Sequence, residues 1–125
     1  MSFQGSCNCG AIRFVVKNDP RGVSFCHCGQ CRKQSGGVWS SAFVEKTDLN
    51  ISGSVNWCAS SDSGRRGFCP ICGAFLFWKN LEETTISFAL GAIDGPTGLT
   101  LEKHIFVADK GDYYEIADGV PQWEN

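Results

Sequence analysis

The chain lacks most of the features that would commit it to a surface-bound or fibrous role. No stretch approaches the roughly 20 apolar residues of a membrane span, and Met1-Ser2-Phe3-Gln4 has none of the marks of a signal peptide. Basic residues are not in excess: Lys and Arg number 11 against 13 Asp and Glu, a formal charge of −2. That balance argues against a nucleic-acid or membrane partner. Repeats and low-complexity tracts are absent, and no segment offers three turns of clean helical periodicity. The 125 residues suffice for one core and are too few for two, so a single domain over 1–125 is expected. These absences together predict a cytoplasmic globular protein.

Cysteine, in contrast, is abundant: eight residues in 125. In a secreted chain that count would suggest disulfides; in a cytosolic one it suggests metal. Spacing favours metal. Cys7 and Cys9 are too close to bridge each other easily, as are Cys26 and Cys28, and clustered pairs beside glycine suit metal knuckles. Disulfides and scattered core cysteines remain the alternatives.

Three of the cysteines, Cys26, Cys28 and Cys31, have the spacing C-x-C-x-x-C, with no fourth following at ligand spacing. Zinc neutralises crowded thiolates well and takes four donors, so three protein ligands with one open position is the count of a catalytic site. Cys7-x-Cys9 and Cys69-x-x-Cys72 make a separate four-cysteine set from two distant knuckles, each closed by a glycine (Gly10, Gly73). That set suits a structural zinc closing a loop of about sixty residues, a site that adds folding energy directly. A dithiol redox motif at Cys69–Cys72, or iron in place of zinc, is the competing assignment.

The coarse reading is mainly β, a compact single domain of short antiparallel strands stapled by zinc knuckles. Expected strands are Ala11 to Val16, packing through Ala11, Phe14 and Val16, then Val23 to Phe25 and Val38 to Val44. Others are Ala74 to Trp78, Thr84 to Ile93 and Leu99 to Val107. Cys28 to Gln34 reads as one helical turn ended by Gly36-Gly37. Asp48 to Ser61 alternates around Gly53 as a hairpin, and Ser60 to Gly67 is a polar loop. The end, including Trp123, is partly extended.

In order, Gly5-Ser6-Cys7-Asn8-Cys9-Gly10, Cys26-His27-Cys28-Gly29-Gln30-Cys31-Arg32-Lys33 and Phe68-Cys69-Pro70-Ile71-Cys72-Gly73 resemble the motifs of the glutathione-dependent formaldehyde-activating enzyme family. That family also includes the centromere protein V proteins. His104 to Val107 and Tyr114 to Pro121 resemble its C-terminal segment, so the likeness spans roughly residues 5 to 123. It implies two zinc ions per chain: a structural one on Cys7, Cys9, Cys69 and Cys72, and a catalytic-type one on Cys26, Cys28 and Cys31. It also implies a carbon–sulfur lyase that handles a thiol–aldehyde adduct such as S-(hydroxymethyl)glutathione, with small thiol and aldehyde substrates, glutathione among them. A non-catalytic thiol carrier or a zinc interaction module is the alternative. In the latter, His104 or Cys58 would complete the second tetrahedron.

Single residues read as follows. Arg32 and Lys33 are a solvated helical turn or meet a substrate carboxylate. His27, between two ligands, points away from the metal. His104 is a satisfied strand histidine, and Arg65 and Arg66 are surface charge. Cys58 is a small packed residue. Trp39, Trp57, Trp78 and Trp123 are core or interface aromatics, with Trp39 as a possible pocket wall.

Overall fold

The structure is a computed structural model that describes residues 2–125; Met1, part of the opening read for a signal peptide, lies outside them. Ten strands and one short helix follow in the order β1 (Ser2–Ser6), β2 (Arg13–Lys17), β3 (Arg21–Cys26), α1 (Gly29–Ser35), β4 (Trp39–Glu45), β5 (Leu49–Ser52), β6 (Asn56–Ala59), β7 (Gly64–Phe68), β8 (Phe75–Asn80), β9 (Thr85–Ala89) and β10 (Lys103–Ile105). Among the described residues no helix is long and apolar enough to cross a membrane.

Two sheets form. The smaller has the order β1-β2-β5 and the larger β10-β3-β4-β9-β8-β7-β6. Alternation explains how they meet. Phe14 and Val16 on β2 and Leu49 on β5 turn inward from the small sheet, while Ala42, Val44, Phe77, Ile86 and Phe88 do so from the large one, and all are buried in one core. Phe14 is its centre, 5.1 Å from the Phe77 ring edge-on and 6.0 Å from Phe88. Truncating such a buried phenylalanine costs about 3–5 kcal/mol. Gly5 exists for the same ring: a Cβ there would stand 2.2 Å from Phe14 Cζ.

The mainly β class holds, with several differences from the sequence reading. Ser2–Ser6 is a strand that was not expected, and the packing residues at β2 are Phe14 and Val16, with Ile12 just before it, since Ala11 is exposed. Leu49 to Ala59 is no hairpin. β5 pairs with β2 of the small sheet and β6 with β7 of the large one, so the turn at Gly53 carries the chain between sheets. The supposed loop before the second knuckle is β7, held between β6 and β8. The expected strands Thr84 to Ile93 and Leu99 to Val107 shrink to β9 and β10. β10 runs parallel to β3, so the strands are not all antiparallel. The tail Pro121–Trp123 then lies along β10 through His104 N–H to Pro121 O and Trp123 N–H to His104 O, both 2.8 Å.

Candidate metal centres and the cavity beside them

The first cluster gathers the two knuckles predicted for it. Cys7, Cys9, Cys69 and Cys72 bring their sulfurs within 4.8 Å of one another. Cys7 and Cys9 are 3.6 Å apart and Cys9 and Cys69 3.7 Å. Tetrahedral zinc with bonds of about 2.3 Å needs sulfurs about 3.8 Å apart, so the donor set fits. The knuckles repeat one another's backbone bonds: Cys7 N–H reaches Ile12 O and Cys69 N–H reaches Ala74 O, both at 3.0 Å. Gly10 (φ 82°) and Gly73 (φ 77°) make the left-handed turn that an L side chain resists. Backbone donors then face the sulfurs: Ile12 N–H lies 3.3 Å from Cys7, and Ile71 and Cys72 N–H lie 3.4 and 3.5 Å from Cys69. Although burial opposes it, the Ile12 bond and the neighbouring thiols hold the Cys7 thiol below its ordinary range.

The second cluster is built where β3 runs into α1. Cys26 ends the strand, Cys28 caps the helix with its sulfur accepting Cys31 N–H at 3.3 Å, and Cys31 is buried in the first turn. The expected helical turn thus exists, ended by Gly36 at φ 87°. The three sulfurs lie within 4.8 Å of one another, and among the described residues no fourth His, Cys, Asp or Glu joins them. Hydrogen bonds from Cys26 and Cys31, and then the charge of Arg66, hold the Cys28 thiol far below its usual range. Those same bonds to Cys28 and Cys31, with burial, push Cys26 far up. Three sulfurs crowded in this way are what a cation would resolve.

Arg66 was expected at the surface and is not. It is 6% exposed, with Nη1 3.4 Å from Cys31 Sγ and 3.0 Å from Gln34 Oε1, and Nη2 4.0 Å from Cys28 Sγ. Its guanidinium sits 5.2 Å from the centre of Phe75, which stacks on Trp39 at 4.2 Å. A buried cation is tolerated here because thiolates face it. Its Nε is buried without a partner among the described residues, so the side chain is held at a cost. Arg65 instead folds back onto the carbonyls of Ser61, Asp62 and Gly64.

All three cysteines of this cluster line a cavity of about 470 Å³. Its floor is the face of the large sheet turned away from the core. Ser24 and Cys26 on β3, Trp39, Ser41 and Phe43 on β4, Ser87 on β9, Trp78 on β8 and Arg66 on β7 share that face by register. Trp39 is the pocket wall that the sequence allowed. The serines went unnoticed in the sequence; the available signal was one serine at an alternate position of each of three strands, Ser24, Ser41 and Ser87.

His27 does point away from the cluster. Its Nδ1 meets the Tyr114 hydroxyl, its Nε2 lies 2.9 Å from His104 Nδ1, and His104 Nε2 lies 2.7 Å from Asp118 Oδ2. Burial, then His104 and Lys110, lower the His27 pKa. The chain of bonds docks the C-terminal segment against the back of the Cys26–Cys28 turn. His104 is thus a satisfied strand histidine. Neither it nor Cys58 completes the second cluster, and Cys58 is exposed on β6 rather than packed. Lys33 is exposed beside a half-buried Arg32. Trp57 packs on Phe77 under Lys79, whereas Trp123 is 55% exposed beneath Lys103.

A fold of two sheets carrying two cysteine clusters able to hold metal defines a class of small cysteine-knuckle proteins, and comparison narrows it. The family model for the glutathione-dependent formaldehyde-activating enzyme matches residues 2–109. A Halomonas elongata protein that bears that same name provisionally is 32% identical, the match covering 93% of this chain and 82% of the other. An uncharacterized lyase of Schizosaccharomyces pombe is 28% identical over 93% of this chain and 86% of its own. A crystal structure of a Rhodobacter sphaeroides protein shares the fold at TM-score 0.61 and 16% identity, covering 96% of this chain and 98% of that one. The chain belongs to the glutathione-dependent formaldehyde-activating enzyme family.

Proposed function

We propose that the protein is a zinc-dependent carbon–sulfur lyase acting on a thiol–aldehyde adduct, of which S-(hydroxymethyl)glutathione is the family's example. One observation carries this reading. A three-cysteine cluster without a fourth protein ligand opens into a cavity and is backed by a buried guanidinium. Cys7, Cys9, Cys69 and Cys72 hold a structural zinc; Cys26, Cys28 and Cys31 hold the second ion. When bound there, zinc supplies a cation that lowers the pKa of a substrate sulfur and favours its thiolate.

The residues of the chain do the rest. Three cysteine thiolates and one dication sum to −1, and Arg66 offsets that charge from below the cluster. A centre so rich in thiolate orients a soft sulfur better than it polarises a carbonyl. Trp39 and Trp78 exclude water on two sides of the cavity. In the cleavage direction the C–S bond of the adduct breaks, sulfur keeps the electron pair, and the adduct hydroxyl loses its proton as the carbonyl forms. No carboxylate or imidazole lines the cavity among the described residues, so that proton passes to solvent water. The same lack of an acid or base favours the second reading, a carrier that binds the thiol without turnover.

Exchange NMR on a formaldehyde–glutathione mixture separates the two. The lyase reading expects exchange between free thiol and adduct to rise well above the spontaneous rate with wild-type protein and to fall back with Cys28→Ser. Binding with no gain in exchange would leave only the carrier.

A further inference from the structure

The cavity's chemistry says more about the thiol than the cysteines do. Ser24 and Ser41 face each other across β3 and β4, and Ser87 follows on β9 beside Phe43. Ser24 is 4% exposed and Ser41 8%, yet neither hydroxyl makes a hydrogen bond to another described residue, and both line the cavity. Each oxygen keeps some exposure, and that exposure is to the cavity. Two such hydroxyls on one floor are placed for a ligand's polar group.

Charge limits the ligand further. No Asp or Glu lines the cavity among the described residues, and its cations are Arg66 and Lys103. Arg66 is engaged by Cys28, Cys31 and Gln34. Lys103 leans on the Trp123 ring, 5.1 Å from its centre. A zwitterionic tripeptide thiol entering here would bring an ammonium that meets no carboxylate and two carboxylates for one available cation, a costly burial. Much of the wall, in contrast, is flat and apolar: Trp39, Trp78 and Phe43, with Phe106 at φ 56°. That conformation is unfavourable for an aromatic residue and is held where its ring lines the cavity. Gln30, Ser60 and Ser61 also line it, with Gln30 donating to Ser60 O and Ser61 Oγ accepting from Gly64 N–H. Gly22, also lining the cavity, lets Phe43 lie flat, since a Cβ there would stand 2.2 Å from the ring.

We propose that the thiol bound in this cavity has a flat apolar body carrying a single neutral hydrogen-bonding group, a hydroxyl or carbonyl, which Ser24 and Ser41 receive. The sulfur then faces Cys26, Cys28 and Cys31. The inference rests on the reading of that cluster as the place of the substrate sulfur, and it narrows the class of thiol without assuming turnover.

Calorimetric titration of the zinc-loaded protein with three probes tests it: 4-(2-mercaptoethyl)phenol, 2-phenylethanethiol and glutathione. The expected order places the phenol at least about tenfold tighter than glutathione, and about three- to tenfold tighter than its deoxy analogue, the worth of one buried hydrogen bond. Ser41→Ala, with Ser24→Ala as the second variant, narrows the gap between the two aromatic thiols to about twofold or less. Glutathione binding as tightly as the phenol overturns the proposal, as does an unchanged gap in both folded variants. The exchange experiment above, run with formaldehyde and the preferred thiol as well as with glutathione, fails independently. Aromatic preference without accelerated exchange removes the lyase and keeps this inference; accelerated exchange with no aromatic preference does the reverse.

Discussion

The two cysteine clusters use one kind of side chain and differ in what surrounds it. In the first, sulfurs from knuckles sixty residues apart meet between loops, and the backbone itself supplies the donors: Ile12, Ile71 and Cys72 N–H all aim at sulfur. In the second, the sulfurs come from six consecutive positions, and the principal donor from outside that stretch is the side chain of Arg66, brought from another strand. The first closes a span of sixty residues and has four donors. The second has three and faces a cavity. Backbone donors cannot be exchanged without refolding, whereas a side-chain donor can be tuned. The contrast suits the first cluster to stability and the second to adjustable chemistry.

The largest effect follows from removing one ligand from each. Structural zinc contributes about 10–16 kcal/mol in zinc-finger peptides, as much as the whole stability of a typical domain, about 5–15 kcal/mol. Cys69→Ala is therefore expected to unfold the chain, with loss of the cooperative thermal transition. Cys28→Ser is expected to stay folded and to carry one zinc fewer by elemental analysis. A folded Cys69→Ala protein with a normal melting curve would erase the distinction.

A chelator sharpens the same contrast without mutation. Zinc release to a colour-forming chelator should occur in two phases, the earlier one absent from Cys28→Ser. Far-ultraviolet circular dichroism should change only with the later phase. A single phase that unfolds the protein would make the two sites one unit.

Third in size is Arg66→Met, which keeps the stem against Phe75 and deletes the donor to Cys28 and Cys31. By analogy with other groups that support metal ligands from behind, the expected loss is about 10- to 100-fold in metal affinity at the three-cysteine cluster. The four-cysteine cluster should be untouched. Competition with a metal buffer reads both, and equal weakening of the two sites would mean that Arg66 acts on the fold as a whole.

Arg66 also marks where the sequence stopped being legible. Both clusters could be read because each knuckle is local and the geometry of metal binding constrains its spacing. The helical turn after Cys28 and the strands carrying Phe14, Phe25 and Phe77 followed from short patterns. Gly-Arg-Arg-Gly, however, has a loop's composition, and only its pairing with β6 on one side and β8 on the other makes it a strand. Arg66 faces the cavity because it shares the face of Trp78 opposite it, a fact of register rather than of residue type. The serine floor was hidden for the same reason. The false hairpin around Gly53 shows the converse: alternation told which residues face inward but not which sheet they join.

The smallest expected effect tests whether the C-terminal segment belongs to the second cluster's support. Asp118 has its carboxyl held below the usual carboxylate range by Val120 N–H and by His104. A group whose folded pKa is depressed stabilises above its unfolded value, about 3.9, and loses that contribution as pH falls through the folded one. Asp118→Asn should therefore lower the urea midpoint slightly at pH 7, and the deficit should shrink as pH is taken below about 4. A deficit equal at both pH values would show that the asparagine harms packing, not charge. A pH-dependent one, with zinc affinity at Cys26, Cys28 and Cys31 reduced alongside, would show that the path from Asp118 through His104 and His27 steadies the turn that carries the sulfurs.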